Sequence, residues 1–311
     1  MQRFSTLKES SSRARYSLAV PQLPTTSFRR LETFPGVWLK CEHENPTGSH
    51  KDRAYCAMLK TSDRPLKGRT LVDYTTGNGG ISMAWLARHL GLPAVAFMPE
   101  GMTPQREALI RHYGAQLVLT PADGFVATAR EAAEAYVEAH PEAILLGQSD
   151  NLANEWGFTQ TGKEILQQCH ECDVHPSFFV CAIGTGGSFS GITRMLKGEL
   201  GDKRLTAIAI EVPEAPVIWA KRRGQIVVPT TPSIIGMGAG KIARNTDERL
   251  IDDIELVGGT DISAVLEIVR KFEGLHVGPS TAANIIVASR LAKRHRANVV
   301  TISFDHGNRY P

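Results

Sequence analysis

The segment ENPTGSHKDRAY, residues 44 to 55, sets Lys51 at the end of a Pro/Gly/Ser turn, where the chain passes from extended to helical. A surface lysine needs no such setting. An amine that must meet a carbonyl carbon at a fixed point does. Three glycine-rich turns elsewhere carry chemistry that would suit the same small molecule. In CAIGTGGSFSGI, residues 181 to 192, an apolar strand runs into Gly184-Thr185-Gly186-Gly187-Ser188 and then a helix. Glycines let backbone N–H groups close on an anion, and the helix start adds its positive dipole end, so a phosphate belongs there. The turn has neither the lysine of a P-loop nor the downstream acid of a dinucleotide fold. In DYTTGNGGISMAW, residues 73 to 85, Thr75, Thr76 and Asn78 stand at another helix start and suit a small carboxylate; the Asn78 amide can also donate to a phenolate-like oxygen. In EGLHVGPSTAANII, residues 273 to 286, Ser280 reads as a helix cap that offers a hydroxyl. An amine, a phosphate cradle, an amide and a hydroxyl together fit pyridoxal 5′-phosphate, which lysine binds as a Schiff base.

The elements that must position these groups follow from the alternation of the chain. TLVDY, AVAFMP, QLVLT, FFVCAI, LTAIAIEV and NVVTISF are short β-rich runs, most of them followed by runs of helical period. The helix TPQREALIRHYG has Thr103 as N-cap, Pro104 at its first position and Gly114 past its end. Continuous apolar strands alternating with helices predict an α/β protein with a parallel sheet covered on both faces. Ligands in such sheets sit beyond the carboxyl ends of the strands, where the glycine turns are.

Composition narrows the partners. The 311 residues are 42% hydrophobic and 22% charged, an ordinary globular balance, and the net charge of +3 is too small for a nucleic-acid or membrane-surface footprint. No apolar run approaches the roughly 18 to 20 residues that span a bilayer. Five cysteines in a chain of this length are not a disulfide framework, so a reducing, cytoplasmic compartment is expected. Cys169 and Cys172 lie in CHECDVH, but no second pair completes a metal set; the segment reads as a helix end with a surface loop, and no metal site is expected. The opening MQRFSTLKESSSRARYSLAV lacks the apolar core of a secretory signal and reads as a mobile arm, or one laid over a partner subunit, rather than a transit peptide.

NPTGSHKDR, TTGNGGISMAWLARHLGLPAVAFMPEGMTPQREALIRHYGAQLVLT, IGTGGSFSGITRMLK, SIIGMGAG and VGPSTAA occur in the order and spacing of cysteine synthases and cystathionine β-synthases. Over residues 20 to 310 the chain resembles these tryptophan-synthase-β-like (fold type II) pyridoxal enzymes. The resemblance implies two doubly wound α/β domains, a small mobile one at 38–146 and a large one from 1–37 and 147–311, and a homodimer. It implies that Lys51 carries the cofactor and then acts as acid and base at the α-carbon. Asn78 would bond the 3′-oxygen, Gly184, Thr185, Gly186, Gly187 and Ser188 the phosphate, and Ser280 the ring nitrogen. Thr75, Thr76, Asn78 and Gln148, the last in LLGQSDNLAN, would hold the carboxylate of an amino-acid substrate.

A neutral serine at the ring nitrogen, where other pyridoxal enzymes place a carboxylate, makes a weaker electron sink. That suits β-elimination to an aminoacrylate and addition of a nucleophile, on an activated serine such as O-acetylserine or O-phosphoserine. Two departures qualify the substrate. The usual Thr-Ser-Gly-Asn-Thr-Gly is here Thr75-Thr76-Gly77-Asn78-Gly79-Gly80, so a hydroxyl is missing at Gly79 and more room or mobility is expected there. The PTGS and KDR flanks lean toward threonine synthases and serine/threonine dehydratases, leaving elimination to a keto acid open, as is a non-catalytic amino-acid-binding relative. His50, an unusual neighbour for the lysine, is expected to pack or hydrogen-bond away from the site.

Overall fold

A computed structural model describes residues 19–310, so the reading of the first eighteen residues as an arm lies outside it. Two sheets carry the architecture. The smaller is parallel, with β3 (Thr70–Tyr74), β4 (Ala94–Pro99), β5 (Gln116–Thr120) and β6 (Ala143–Leu145) in the order β5-β4-β3-β6. The larger joins β1 (Phe28–Arg30), β2 (Val37–Lys40), β7 (Pro176–Ala182), β8 (Thr206–Glu211), β9 (Asp253–Leu256) and β10 (Asn298–Ile302) in the order β1-β2-β10-β7-β8-β9. Only β1 runs antiparallel, pairing with β2 at the edge. The α/β architecture of two wound sheets is thus as expected. The expected boundary at 38 falls inside β2, which pairs with β10, so the smaller sheet begins only at Thr70.

Strands β3 and β4 are buried at every position, because helices cover both faces. On the smaller sheet these are α2 (Asn78–Leu90), α3 (Pro104–His112) and α4 (Phe125–Ala139). The expected signals frame α3: Thr103 is its extended N-cap, Pro104 its first residue, and Gly114 follows at φ +88°. On the larger sheet lie α5 (Ala153–Glu171), α6 (Gly187–Leu200), α7 (Val217–Arg222), α8 (Ile262–Phe272) and α9 (Pro279–His295). Cys169 is buried in the last turn of α5 and Cys172 is its exposed C-cap, as the helix-end reading has it. No group that could hold a metal is found among the described residues, and no described helix is long and apolar enough to cross a membrane.

The first helix, α1 (Lys51–Lys60), explains the residues after the lysine. Asp52 accepts from the Thr47 N–H at 2.8 Å, the Thr47 hydroxyl at 2.7 Å and the Ser82 hydroxyl of α2 at 2.6 Å. Arg53 turns the other way and is clamped in pairs by Glu42 (3.1 and 3.1 Å) and Glu164 of α5 (2.8 and 2.9 Å). Lys40 adds a contact to Glu164 at 2.7 Å. These ions are buried, so each depends on its partners; removing one partner of such a set typically costs about 3–5 kcal/mol. The lysine turn is therefore stapled to α2 by one neighbour and to the large-sheet side by the next.

Candidate active site

A cleft of about 940 Å³, including its open mouth, lies where β3, β7 and β10 end and α1, α2, α6 and α9 begin. Lys51, Thr75, Thr76, Asn78, Gln148, Gly184, Thr185, Ser188 and Ser280 all line it. Gly186 and Gly187 lie in the same turn as Thr185, at the start of α6.

Lys51 is the first residue of α1, and its Nζ lies 3.3 Å from the Thr185 hydroxyl of the phosphate turn. Burial lowers its pKa to about 8, while the charge of Asp73 holds it up. Near neutral pH a useful fraction is then free amine. His50 packs on Phe158 and Phe304, and its Nδ1 donates to the Phe304 carbonyl at 2.9 Å. Burial and the Lys51 charge keep the imidazole neutral, its pKa well below the usual value. It touches the cleft as a wall, with that Nδ1 bond turned to the backbone.

At the phosphate turn, the N–H groups of Gly186, Gly187 and Ser188 have no acceptor among the described residues, and they stand at the start of a fourteen-residue helix. That donor set, facing a depressed lysine amine, fits the phosphate and aldehyde ends of pyridoxal phosphate. The glycines are needed for a reason that the sequence did not show. Gly186 has φ +81°, and a Cβ there would meet Thr246 Oγ1 at 2.1 Å. At Gly187 a Cβ would meet Asn154 Oδ1 at 2.2 Å. Both clashes are with the protein's own backing of the turn.

The carboxylate turn is braced differently. Thr75 Oγ1 accepts from the Gly77 N–H at 2.9 Å and the Gly80 N–H at 3.1 Å, so its lone pairs serve the loop. The N–H groups of Thr76, Asn78 and Gly79 have no acceptor among the described residues. Gln148 Nε2 donates to the Tyr74 carbonyl at 3.0 Å and keeps a second N–H. The expected room at Gly79 is absent: a Cβ there would lie 2.6 Å from the Tyr55 hydroxyl and 2.7 Å from Gln148 Nε2. Tyr55 reaches this place because Asp73 accepts its proton at 2.6 Å.

Ser280 is not the helix cap. Gly278 is the N-cap and Pro279 opens α9, leaving the Ser280 hydroxyl to face the cleft. Asn78 is brought to the site, but its amide is already held at both ends, Nδ2 donating to Asp305 at 2.6 Å and Oδ1 accepting from Arg309. Sequence reasoning missed Asp305, Arg309 and Tyr310, and also Arg106, Tyr55, Asp73 and Asn154. The C-terminal group follows directly on β10, so its place beyond the end of a buried strand was the available signal.

Fold and cleft together define a fold type II pyridoxal-phosphate enzyme. Known proteins agree. The family profile described as pyridoxal-phosphate dependent enzyme matches residues 16–305. The cysteine synthase of Staphylococcus aureus (strain Mu50) is 34% identical over 284 residues, 88% of this chain and 87% of that protein. Cysteine synthase A of Escherichia coli (strain K12) is 32% identical, over 94% of this chain and 92% of that protein. The solved O-acetylserine dependent cystathionine β-synthase of Helicobacter pylori superposes with a TM-score of 0.81 at 27% identity, covering 94% of this chain and 95% of that one. The chain belongs to the pyridoxal-phosphate dependent enzyme family.

Proposed function

We propose that the protein replaces the β-substituent of an activated serine, with O-acetylserine as donor and a thiol or amine as acceptor. The observation that carries this is the placement of the Lys51 amine, pKa about 8, between the phosphate turn and the carboxylate turn. Pyridoxal phosphate, when bound, supplies the carbonyl carbon for an amine and a ring that takes up charge at the α-carbon. Gly184, Thr185, Gly186, Gly187 and Ser188 would hold its phosphate, Asn78 its 3′-oxygen, and Ser280 its ring nitrogen. The free N–H groups of Thr76, Asn78 and Gly79, with Thr75 and Gln148, orient the amino-acid carboxylate. Lys51 takes and returns the α-proton.

The lining of the cleft supports an acyl rather than a phosphate leaving group. Phe125, Val126, Ile235 and Met237 form its apolar wall. Arg106 is the one arginine among the described lining residues; it is 1% exposed and donates to the Thr76 carbonyl and the Tyr310 hydroxyl. Its Nη1 and Nη2 are engaged in this way and its charge lies 3.6 Å from Asp305, so a dianionic phosphate would meet a guanidinium already paired within the protein. The unit built on the smaller sheet is read as mobile, closing on the carboxylate to exclude water, and the enzyme as a cytoplasmic homodimer.

Borohydride reduction of the yellow holoenzyme should fix the cofactor to the peptide that contains Lys51. With O-acetylserine and a thiol, the holoenzyme should form the thioether amino acid faster than it releases keto acid from threonine or serine. Label on another lysine, or faster keto-acid release, would overturn the reading.

A further inference from the structure

We propose that Phe125 and Ile235 select the acceptor, forming an apolar clamp for a neutral thiol that carries an apolar group and no carboxylate. This rests on the β-replacement reading above and names its second substrate. Both side chains line the cleft and are half-buried. They reach it from different parts of the chain. Phe125 opens α4, which covers the smaller sheet, and Ile235 lies in the loop after α7, between β8 and β9 of the larger one.

Their neighbours hold the fold. Val126 packs on the core between β3, β4 and α4, while Ile234 and Met237, 1% and 3% exposed, are part of the main core. Phe125 and Ile235 belong to neither core. Phe125 is also held in a backbone state that its side chain disfavours. Its φ is +45°, in the left-handed region, directly after Gly124, a residue that would adopt that conformation freely. A bulky side chain strained into place, with no core to fill, points to a role toward what enters the cleft.

Leaving group and acceptor share one region, because both bond the β-carbon. The Cβ–O bond breaks with its electron pair leaving on acetate. A sulfur pair of the thiol forms the S–Cβ bond, the thiol proton is released, and Lys51 returns the α-proton that it took. The acetyl group brings a single methyl, far less apolar surface than Phe125, Val126, Ile235 and Met237 present. The surplus can be covered by an apolar group on the acceptor.

Charge in the cleft points the same way. The basic side chains among the described lining residues are Lys51, Arg106 and His50. Lys51 takes the cofactor. Arg106 donates to the Thr76 carbonyl and the Tyr310 hydroxyl, with Asp305 at 3.6 Å. His50 is kept neutral by burial and the Lys51 charge. An acceptor carboxylate would therefore meet no unpaired cation. Asp305, the one acid of that lining, already accepts from Asn78 and Tyr310. An ammonium would lose its water against the apolar wall without a counterion, whereas a neutral thiol bears neither cost.

The test measures kcat/KM for the acceptor, with O-acetylserine as donor, in wild-type, Phe125→Gly and Ile235→Ala holoenzymes. In a ping-pong sequence this constant reports the acceptor half alone. The acceptors are sulfide, butanethiol and β-mercaptopropionate; the two thiols are close in size and differ in the carboxylate. Wild type should favour butanethiol over β-mercaptopropionate by about tenfold or more. Each variant should lower the butanethiol-to-sulfide ratio by about tenfold, since sulfide is too small to fill the clamp. Thermal unfolding of Phe125→Gly should stay near wild type, because the glycine releases the strain at this φ. Equal or better use of β-mercaptopropionate by wild type would overturn the proposal, as would a wild-type butanethiol-to-sulfide ratio in both variants. Should one variant fail to fold, the other decides; should neither fold, the wild-type preference decides alone. If O-acetylserine reacts with sulfide but not with butanethiol, this proposal falls and the reading beneath it stands. If no acceptor is joined to the β-carbon of O-acetylserine, the reading beneath it falls.

Discussion

The turn after β7 and the turn after β3 share a plan, strand to glycine-rich loop to helix, yet they use their backbones differently. In the first, N–H groups of Gly186, Gly187 and Ser188 are free of protein acceptors, and the backing is supplied from behind by Thr246 and Asn154. In the second, two N–H groups are spent on Thr75, while Tyr55 and Gln148 crowd the place where a side chain at position 79 would go. One turn is an open row of donors, which under the proposed function serves a permanent anion. The other is a partly satisfied loop with a few donors left, which under the same proposal serve a ligand that leaves after each turnover. Glycine content alone does not distinguish them; the partners of the N–H groups do.

The comparison breaks first at the amine between the two turns. Lys51→Ala should lower kcat/KM by about 10² to 10⁴-fold or more, since the α-proton loses its carrier. The cofactor should still bind through the phosphate turn, without a covalent link. Steady-state rates and equilibrium dialysis check both parts; wild-type turnover in this variant would remove Lys51 from the reaction. The next largest effect is expected at the open row. Gly187→Val should weaken cofactor affinity by about 1.5–3 kcal/mol for each charge-assisted bond lost. Here the Cβ acts by displacing Asn154, which also donates to the Gln148 carbonyl at 2.6 Å. Fluorescence titration with pyridoxal phosphate measures this, and an unchanged Kd would place the phosphate elsewhere.

How far each turn was legible follows from what its residues touch. Lys51, the phosphate turn and the helix starts could be read because local chemistry makes them: a glycine run after an apolar strand, a proline at a first helical position. The longer strands were legible as apolar runs, whereas β1 and β6, three residues each, are too short to show a period. The brace at Thr75 and the lock on Asn78 were not legible. Arg309 lies 231 residues from Asn78 in the chain, and Tyr55 lies 18 from Asp73, with no pattern linking either pair. The missing hydroxyl at Gly79 was visible, but the Tyr55 hydroxyl that fills its place comes from another helix. A gap in a motif shows what is absent and not what has moved in.

That substitution of one hydroxyl for another gives the third test. Gly79→Thr should not improve recognition of O-acetylserine by restoring a donor. The added atoms meet Tyr55 and Gln148, and overpacking of this kind costs about 1–3 kcal/mol. Gln148 is the freer of the two and should swing away, raising KM for the amino acid while the cofactor spectrum holds. Tyr55→Phe removes the clashing oxygen, so adding it to Gly79→Thr should recover part of the lost stability and affinity. Thermal unfolding and KM for the single and double variants decide it. A fall in KM for Gly79→Thr alone would restore the idea of spare room.

The smallest expected effect lies under the carboxylate turn, at Asp73. Burial raises its pKa to about 6, against the pull of Tyr55 and the Tyr74 and Gln148 N–H groups. Above that pH it is ionised, and its charge holds the Lys51 pKa up against the burial that brings it to about 8. Asp73→Asn removes the charge, so the lysine should titrate lower, by less than about one unit at the separations where like effects are moderate. The folded pKa of Asp73 lies above its ordinary value, so its ionisation disfavours the fold as pH rises from about 4 through about 6. The stability deficit of Asp73→Asn relative to wild type should therefore be smaller at pH 7.5 than at pH 4.5. The rate at which apo Lys51 reacts with an acylating reagent, followed against pH, reports the amine directly. Below about pH 6, where Asp73 is neutral in wild type, the two proteins should show the same dependence; above it, the variant should react faster near neutral pH. Superimposable profiles across the whole range would mean that the carboxylate braces Tyr55 and Gln148 without acting on the lysine.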